Sequence, residues 1–306
     1  MKTKSFVVVL LAVISYTRAH ACAICGCGAG NYYLGIMPQF SKNFVGLRYR
    51  TYSFTSHVGK GYNPYEATHE TFQSTELWTR IYITSRIQVI SFVNFNFNRQ
   101  LDNGVNKEIQ GIGDMPILVN YNFINTTTQP SSENRILNHS LFLGGGIKLP
   151  TGKYQYTEGP KAVANANFQL GTGSTDFIMN SLYTMRYKRF GLSVDVNYKI
   201  NTKNSNEYRF GNRVSGTGSV FYVQQIKKIG MMPNVGLYFE DSALNQQYGI
   251  NVENTGGSAF FASAGVESYY KKIGVGFNFQ SPIDQHLAGD QSIGHNRAVV
   301  HVSYLF

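Results

Sequence analysis

Three cysteines stand close together near the start of the chain: Cys22, Cys25 and Cys27, in CAICGCG. Thiolate sulfur is a soft ligand, so this C-x-x-C-x-C suits Cu(I) or Zn(II). Tetrahedral zinc would need a fourth ligand, whereas low-coordinate copper is satisfied by fewer. Two other readings use the same residues. Exported thiols oxidise, and pairing Cys22 with Cys25 or Cys27 avoids the strained short loop of a Cys25–Cys27 bridge. Alternatively, Ala19-His20-Ala21-Cys22 serves as a lipobox and Cys22 is acylated, although Ala19 stands where a larger aliphatic is usual. Gly26, Gly28 and Gly30 make the segment pliable, as a tether or a loop that folds on metal.

A second set of residues is ionic. Arg48 and Arg50 share a face in LRYRTY, and Glu76 and Arg80 share one in ELWTRIY. If the two stretches are strand partners, their four charges form one cluster. Asp195, Lys199, Glu240 and Glu267 would extend the same wet face. Charged clusters set selectivity in pores, and they serve equally as ladders that fill a narrow barrel. Catalysis is not the chemistry expected. The chain has neither G-x-S-x-G nor H-E-x-x-H, and His57, His69, His286 and His295 are scattered over several connections.

The elements that must position these side chains are strands. The N-terminus places Lys2 and Lys4 before an apolar run from Phe6 to Ile14 and then Ala19-His20-Ala21. That is the pattern of a secretory signal peptide, so residues 1–21 are set aside and the mature chain is expected from Cys22. The formal net charge is +10, of which Lys2, Lys4 and Arg18 belong to the leader. An exported chain without Lys/Arg runs points away from nucleic acid and toward anionic solutes or lipopolysaccharide. Charged residues make up 14% of the chain, well under the roughly 25% of soluble domains.

Period-two alternation runs through most of the sequence. Ile87, Val89, Val93, Phe95 and Phe97 alternate with Asn94, Asn96 and Asn98. Leu192, Val194, Val196, Tyr198 and Ile200 alternate with Ser193, Asp195, Asn197, Lys199 and Asn201. Successive side chains of a strand point to opposite faces, so such stretches are amphipathic as strands and not as helices. They run to about ten residues or more, the length of a tilted transmembrane strand rather than the ~5–6 residues of a soluble one.

The connections also alternate. Short ones fall near Ser85-Arg86, Lys188-Arg189, Lys227-Lys228 and Lys271-Lys272, and long ones near 57–71, 99–110, 151–167, 202–212, 243–256 and 282–294. The segment 124–135 is long where a short turn is expected. Short turns at one end and long loops at the other describe an outer-membrane barrel with the short turns in the periplasm. The sequence therefore predicts an all-β fold: a transmembrane antiparallel up-and-down β-barrel of about twelve strands, with ten to fourteen in range, over residues 44–306. Residues 22–43 form a Cys/Gly-rich segment, lumenal or an extra strand. The final strand, RAVVHVSYLF, must pair with the first along its whole length, because an open edge in lipid is untenable. Its aromatic end resembles the signal read by the barrel-insertion machinery.

Three stretches resemble the outer-membrane barrel family named for the meta pathway of phenol degradation, whose members are commonly described as transporters. They are GIGDMPILVNYNF (111–123), LFLGGGIKLPTGKY (141–154) and LGTGSTDFIMNSLYTMRY (170–187), in that order. The resemblance implies a barrel in the outer membrane of a Gram-negative bacterium, passing small molecules, with aromatic ones as a candidate class. Asp114 and Asp176 each start a motif strand on the inward register. They either constrict a polar lumen or pair with a neighbouring Arg while Gly111, Gly113, Gly171 and Gly173 allow close packing. The function expected is a channel or transporter for small solutes in contact with outer-membrane lipid and lipopolysaccharide. The alternative is a membrane-anchored copper-type binding protein built on Cys22, Cys25 and Cys27.

Overall fold

The computed structural model describes residues 42–57, 67–102, 104–126, 137–155 and 166–306. Cys22, Cys25, Cys27 and the proposed extra strand at 31–40 lie outside them. Twelve strands cross the membrane: β1 (Phe44–Ser56), β2 (Thr68–Tyr82), β3 (Ile87–Asp102), β4 (Val105–Ile112, then Met115–Asn125) and β5 (Leu137–Leu149). They continue as β6 (Asp176–Tyr187), β7 (Phe190–Ile200), β8 (Arg213–Tyr222), β9 (Ile229–Ser242), β10 (Gly257–Tyr270), β11 (Ile273–Leu287) and β12 (Ser292–Gly294, then Arg297–Leu305). Each pairs antiparallel with its sequence neighbours, and β12 closes the sheet on β1 from Phe44↔Leu305 to Thr51↔Ala298. The amide of Phe306 donates to the carbonyl of Asn43 at 3.0 Å, so the last strand is paired to its end.

Among the described residues each barrel strand has a partner on both sides, and the alternation sorts the side chains. Leu47, Leu237 and Val302 face outward and are more than half exposed, as are Phe177 and Met179. Val196 and Tyr198 point the same way. Such a continuous apolar exterior would be untenable in water and is matched by hydrocarbon. The inward register carries Asn94, Asn120, Asp195, Asn197, Lys199, Glu240 and Glu267, nearly all deeply buried. One consequence is testable on β7. Val196→Arg, near the middle of the strand, is expected to cost ~2–4 kcal/mol, read by urea unfolding from phospholipid vesicles.

Four of the turns at one end are tight: 83–86, 188–189, 227–228 and 271–272. The connection at 126–136 is the long exception there. At the other end the expected loop at 99–110 is absent. Instead β3 and β4 run on as a hairpin that pairs Asp102 with Val105. Both faces of this extension are largely polar, and Arg99 bridges Glu108 across the strands at 2.8 Å. A strand wet on both sides has no hydrophobic period, which is why the sequence pattern reads it as a loop. For a related reason β11 reaches Leu287, well past the 282 at which a loop is expected.

Candidate functional site

The three motif stretches meet at one point inside the barrel. Lys148, on the inward register at the end of β5, places Nζ 2.5 Å from Asp114 Oδ2 and 2.9 Å from Asp176 Oδ2. Asp114 lies at the break within β4, and Asp176 opens β6. The Asp114 carboxylate also accepts from the Gly152 amide at 3.1 Å and from the Thr172 amide and hydroxyl at 2.9 and 3.0 Å. The Thr151 hydroxyl donates to the Gly113 carbonyl at 2.6 Å. Asp176 accepts from the Ser174 hydroxyl at 2.8 Å and the Thr202 amide at 3.0 Å. Both carboxylates are thus satisfied by one lysine and by loop hydrogen bonds, not by the neighbouring Arg expected from sequence. A buried carboxylate is tolerable only with this kind of compensation. Gly171 is required for the approach, because a Cβ there would collide with Asp114 Oδ1.

These bonds hold the segment 166–175, part of the β5–β6 connection, inside the lumen. The Asn96 and Asn98 side-chain amides of β3 donate to the Leu170 and Gln169 carbonyls, each at 3.2 Å. Phe168 is fully buried and meets Phe72 edge-on with ring centres 6.1 Å apart. Around it lie Tyr52, Phe54, Tyr238 and Phe261, an aromatic layer across the extracellular half of the barrel. A second apolar layer, with Phe44, Trp78, Ile90, Phe92, Leu118 and Ile178, fills the periplasmic half. Between them a cavity of about 50 Å³ is bordered by Arg50, Tyr52, Phe72, Asn94 and Lys148.

The rest of the lumenal wall is also ionic. Register places Arg48 beside Glu76. Arg48 reaches Glu76 at 2.5 Å and Arg50 reaches it at 2.9 Å, while the Arg48 guanidinium also lies 4.8 Å from the centre of the Phe92 ring. Arg80 does not join them, which corrects the expected four-charge cluster. It stands two rungs closer to the periplasm, donates to the Lys42 carbonyl at 3.0 Å and covers the Phe44 ring. Asp195 is held by amides instead of a cation, accepting from Asn180 at 3.0 Å and Asn197 at 2.5 Å. Lys199 is buried in register with Arg213. Glu240 pairs with Arg297 at 2.6 Å, and Glu267 with His301 at 3.1 Å.

Sequence reasoning missed Lys148, Arg297 and Phe168. The first two sit on the inward parity of their strands, so counting every second residue from known inward positions would have found them. Phe168 lies in a connection, where no periodicity reports direction. Among the described residues no group of three or more His, Cys, Asp or Glu side chains could hold a metal ion. The site offers charge, amides and aromatic faces for contact with a solute.

A closed twelve-strand cylinder, greasy outside and ionic inside, defines a transmembrane β-barrel of the outer-membrane class. The chain belongs to the family described as "Putative MetA-pathway of phenol degradation", whose model matches residues 62–286. Among solved structures, it resembles an outer membrane channel from Pseudomonas putida F1 with a TM-score of 0.63 at 13% identity, over 87% of this chain and 96% of that one. The beta domain of the Bordetella autotransporter Brka gives a TM-score of 0.49 at 12% identity, over 86% of this chain and 99% of that one. The translocator domain of the autotransporter NalP from Neisseria meningitidis gives 0.45 at 10%, over 87% and 89%. At 13% identity, what the chain shares with the Pseudomonas channel is the fold. No curated protein matches the sequence. The barrel resides in the outer membrane of a Gram-negative bacterium.

Proposed function

We propose that this barrel is a channel for small solutes, in a state whose extracellular half is closed in part by the segment 166–175. One observation carries the reading: the material that blocks the extracellular half includes a loop, fixed by side-chain bonds to Lys148, Asp114, Asn96 and Asn98. Withdrawing that loop breaks none of the rungs between neighbouring barrel strands, so the wall persists while the bore widens. The similarity to a solved channel and the family's description support the same reading. The solute class that fits is a small aromatic anion, because Arg50 stands beside Tyr52, Phe72 and the Asn94–Asn98 amides around the cavity.

Single-channel recording of the refolded protein in planar bilayers, with benzoate and a neutral sugar compared in liposome flux, tests the proposal. Stepwise conductance and faster benzoate entry are expected, with larger steps for Phe168→Ala. Silence from both proteins, with no flux of either solute, would overturn the channel. Conductance without preference for benzoate would remove only the solute class. A second reading rests on the C-x-x-C-x-C motif, as a soft-metal site tethered to the barrel. Copper titration against a variant with Cys22, Cys25 and Cys27 all replaced by Ser tests it, and equal stoichiometry eliminates it.

A further inference from the structure

The four tight turns at the periplasmic end carry Arg86, Lys188, Arg189, Lys227, Lys228, Lys271 and Lys272, all exposed, and no carboxylate. Among the described residues none of the seven forms an ion pair. The contrast with the opposite rim is chemical. There, exposed Arg99 and Lys203 pair with Glu108 and Glu207 at 2.8 and 3.0 Å.

The periplasmic cations are not aimed into the bore. Five of the seven fold outward onto tyrosines of the lipid-facing register. Lys188 lies 5.5 Å from the Tyr187 ring, Lys271 5.4 Å from Tyr270 and Lys272 5.7 Å from Tyr304. Arg86 donates to the Tyr121 hydroxyl at 3.2 Å, and Arg189 to that of Tyr222 at 3.3 Å. Outward-facing tyrosines at a barrel rim mark the level where acyl chains meet headgroups. These five cations are therefore held at the depth of lipid phosphates, and Lys227 and Lys228 occupy the equivalent tight turn of the same rim. Three of the seven also occupy backbone that favours glycine: Lys188, Lys227 and Lys271 have φ of 53°, 53° and 54°. At a left-handed position a side chain brings strain that glycine avoids. The tight turns themselves do not call for lysine.

We infer that this tyrosine-backed ring of cations binds the headgroups of anionic phospholipids in the periplasmic leaflet. The chemistry recognised is a phosphodiester at the membrane surface with its acyl chains along the apolar wall. Juxtamembrane basic residues bind anionic bilayers in this way, additively and in a salt-dependent manner. The inference is independent of whether the lumen conducts.

The test is native mass spectrometry of the detergent-solubilised barrel titrated with phosphatidylglycerol, phosphatidylcholine or inorganic phosphate. The variant combines Lys188→Asn, Lys227→Asn and Lys271→Asn, since Asn tolerates the left-handed backbone, with Arg189→Gln, Lys228→Gln and Lys272→Gln. The wild-type barrel is expected to retain phosphatidylglycerol over phosphatidylcholine, with the preference falling roughly tenfold in the variant. A set replacing the same lysines by arginine should keep it. Equal retention of both lipids by the wild-type protein would overturn the inference, whether or not the variant folds. An unchanged preference in a folded variant would also overturn it, as would displacement of the lipid by inorganic phosphate at matched concentration.

Discussion

Lys148→Met is expected to unlatch the loop segment and to raise single-channel conductance while weakening the folded barrel. In the wild-type protein Lys148 Nζ stands between the Asp114 and Asp176 carboxylates, at 2.5 and 2.9 Å, and also donates to the Ser174 carbonyl at 3.0 Å. Methionine fills a similar volume but leaves two buried carboxylates with no cation between them. Breaking a buried pair by removing one partner costs ~3–5 kcal/mol. Part of that cost is relieved if the 166–175 segment swings out and admits water to the carboxylates. Urea unfolding in vesicles and planar-bilayer recording check the two effects separately. Adding Asp114→Asn and Asp176→Asn to the variant removes the uncompensated charge, so stability should largely return while the latch stays broken. A destabilised variant whose conductance equals that of the wild-type protein would show that the cluster is a structural staple and not a latch.

Glu76→Gln is the second large effect. Its carboxylate is shared by Arg48 and Arg50 and also accepts from the Ser74 hydroxyl at 3.2 Å. The change leaves two guanidinium groups without their common anion in a lumen where Arg48 is almost fully buried. The expected loss is again ~3–5 kcal/mol. The functional consequence has a sign. One negative charge disappears from the lumenal wall, so the reversal potential in a KCl gradient should move toward chloride. Arg80, which lies outside this cluster, provides the contrast. Arg80→Gln should disturb the periplasmic end, where it covers Phe44, and leave the charge beside the cavity unchanged. A reversal potential indifferent to Glu76→Gln but responsive to Arg80→Gln would place the selective region at the periplasmic layer.

Parity along a strand is a local property, and it was legible. The inward positions of Arg48, Glu76, Asp114, Asp176, Asp195 and Lys199 follow from counting every second residue, because the polypeptide can present only two faces. A slip of one residue in the first hairpin is excluded too, since it would turn Leu77 and Ile81 into the lumen and Glu76 and Arg80 onto the lipid. Counting failed where both faces of a strand leave the hydrocarbon, as in Leu101–Glu108, and hydrophobicity no longer distinguishes one side from the other.

The partners of those inward charges were not legible. Asp114 and Lys148 are 34 residues apart, and Lys148 and Asp176 are 28 apart, a spacing that ties them to no common periodicity. They meet because β4, β5 and β6 are neighbours in the wall and because a loop folds back between them. Asp195 and Arg80 show the same limit in reverse: each faces inward as counted, yet one is met by amides and the other by a backbone carbonyl.

Taken by itself, the order of residues determined that strands cross a bilayer, which side of each is wetted by lipid, and about how many there are. Those features depend on interactions with solvent, which every residue meets individually. Only the folded cylinder decided which charges neutralise one another, that Phe168 closes the aromatic layer, and that the basic turns lie against tyrosines. Those outcomes depend on curvature and on the path of a connection, and both are set by the whole wall at once.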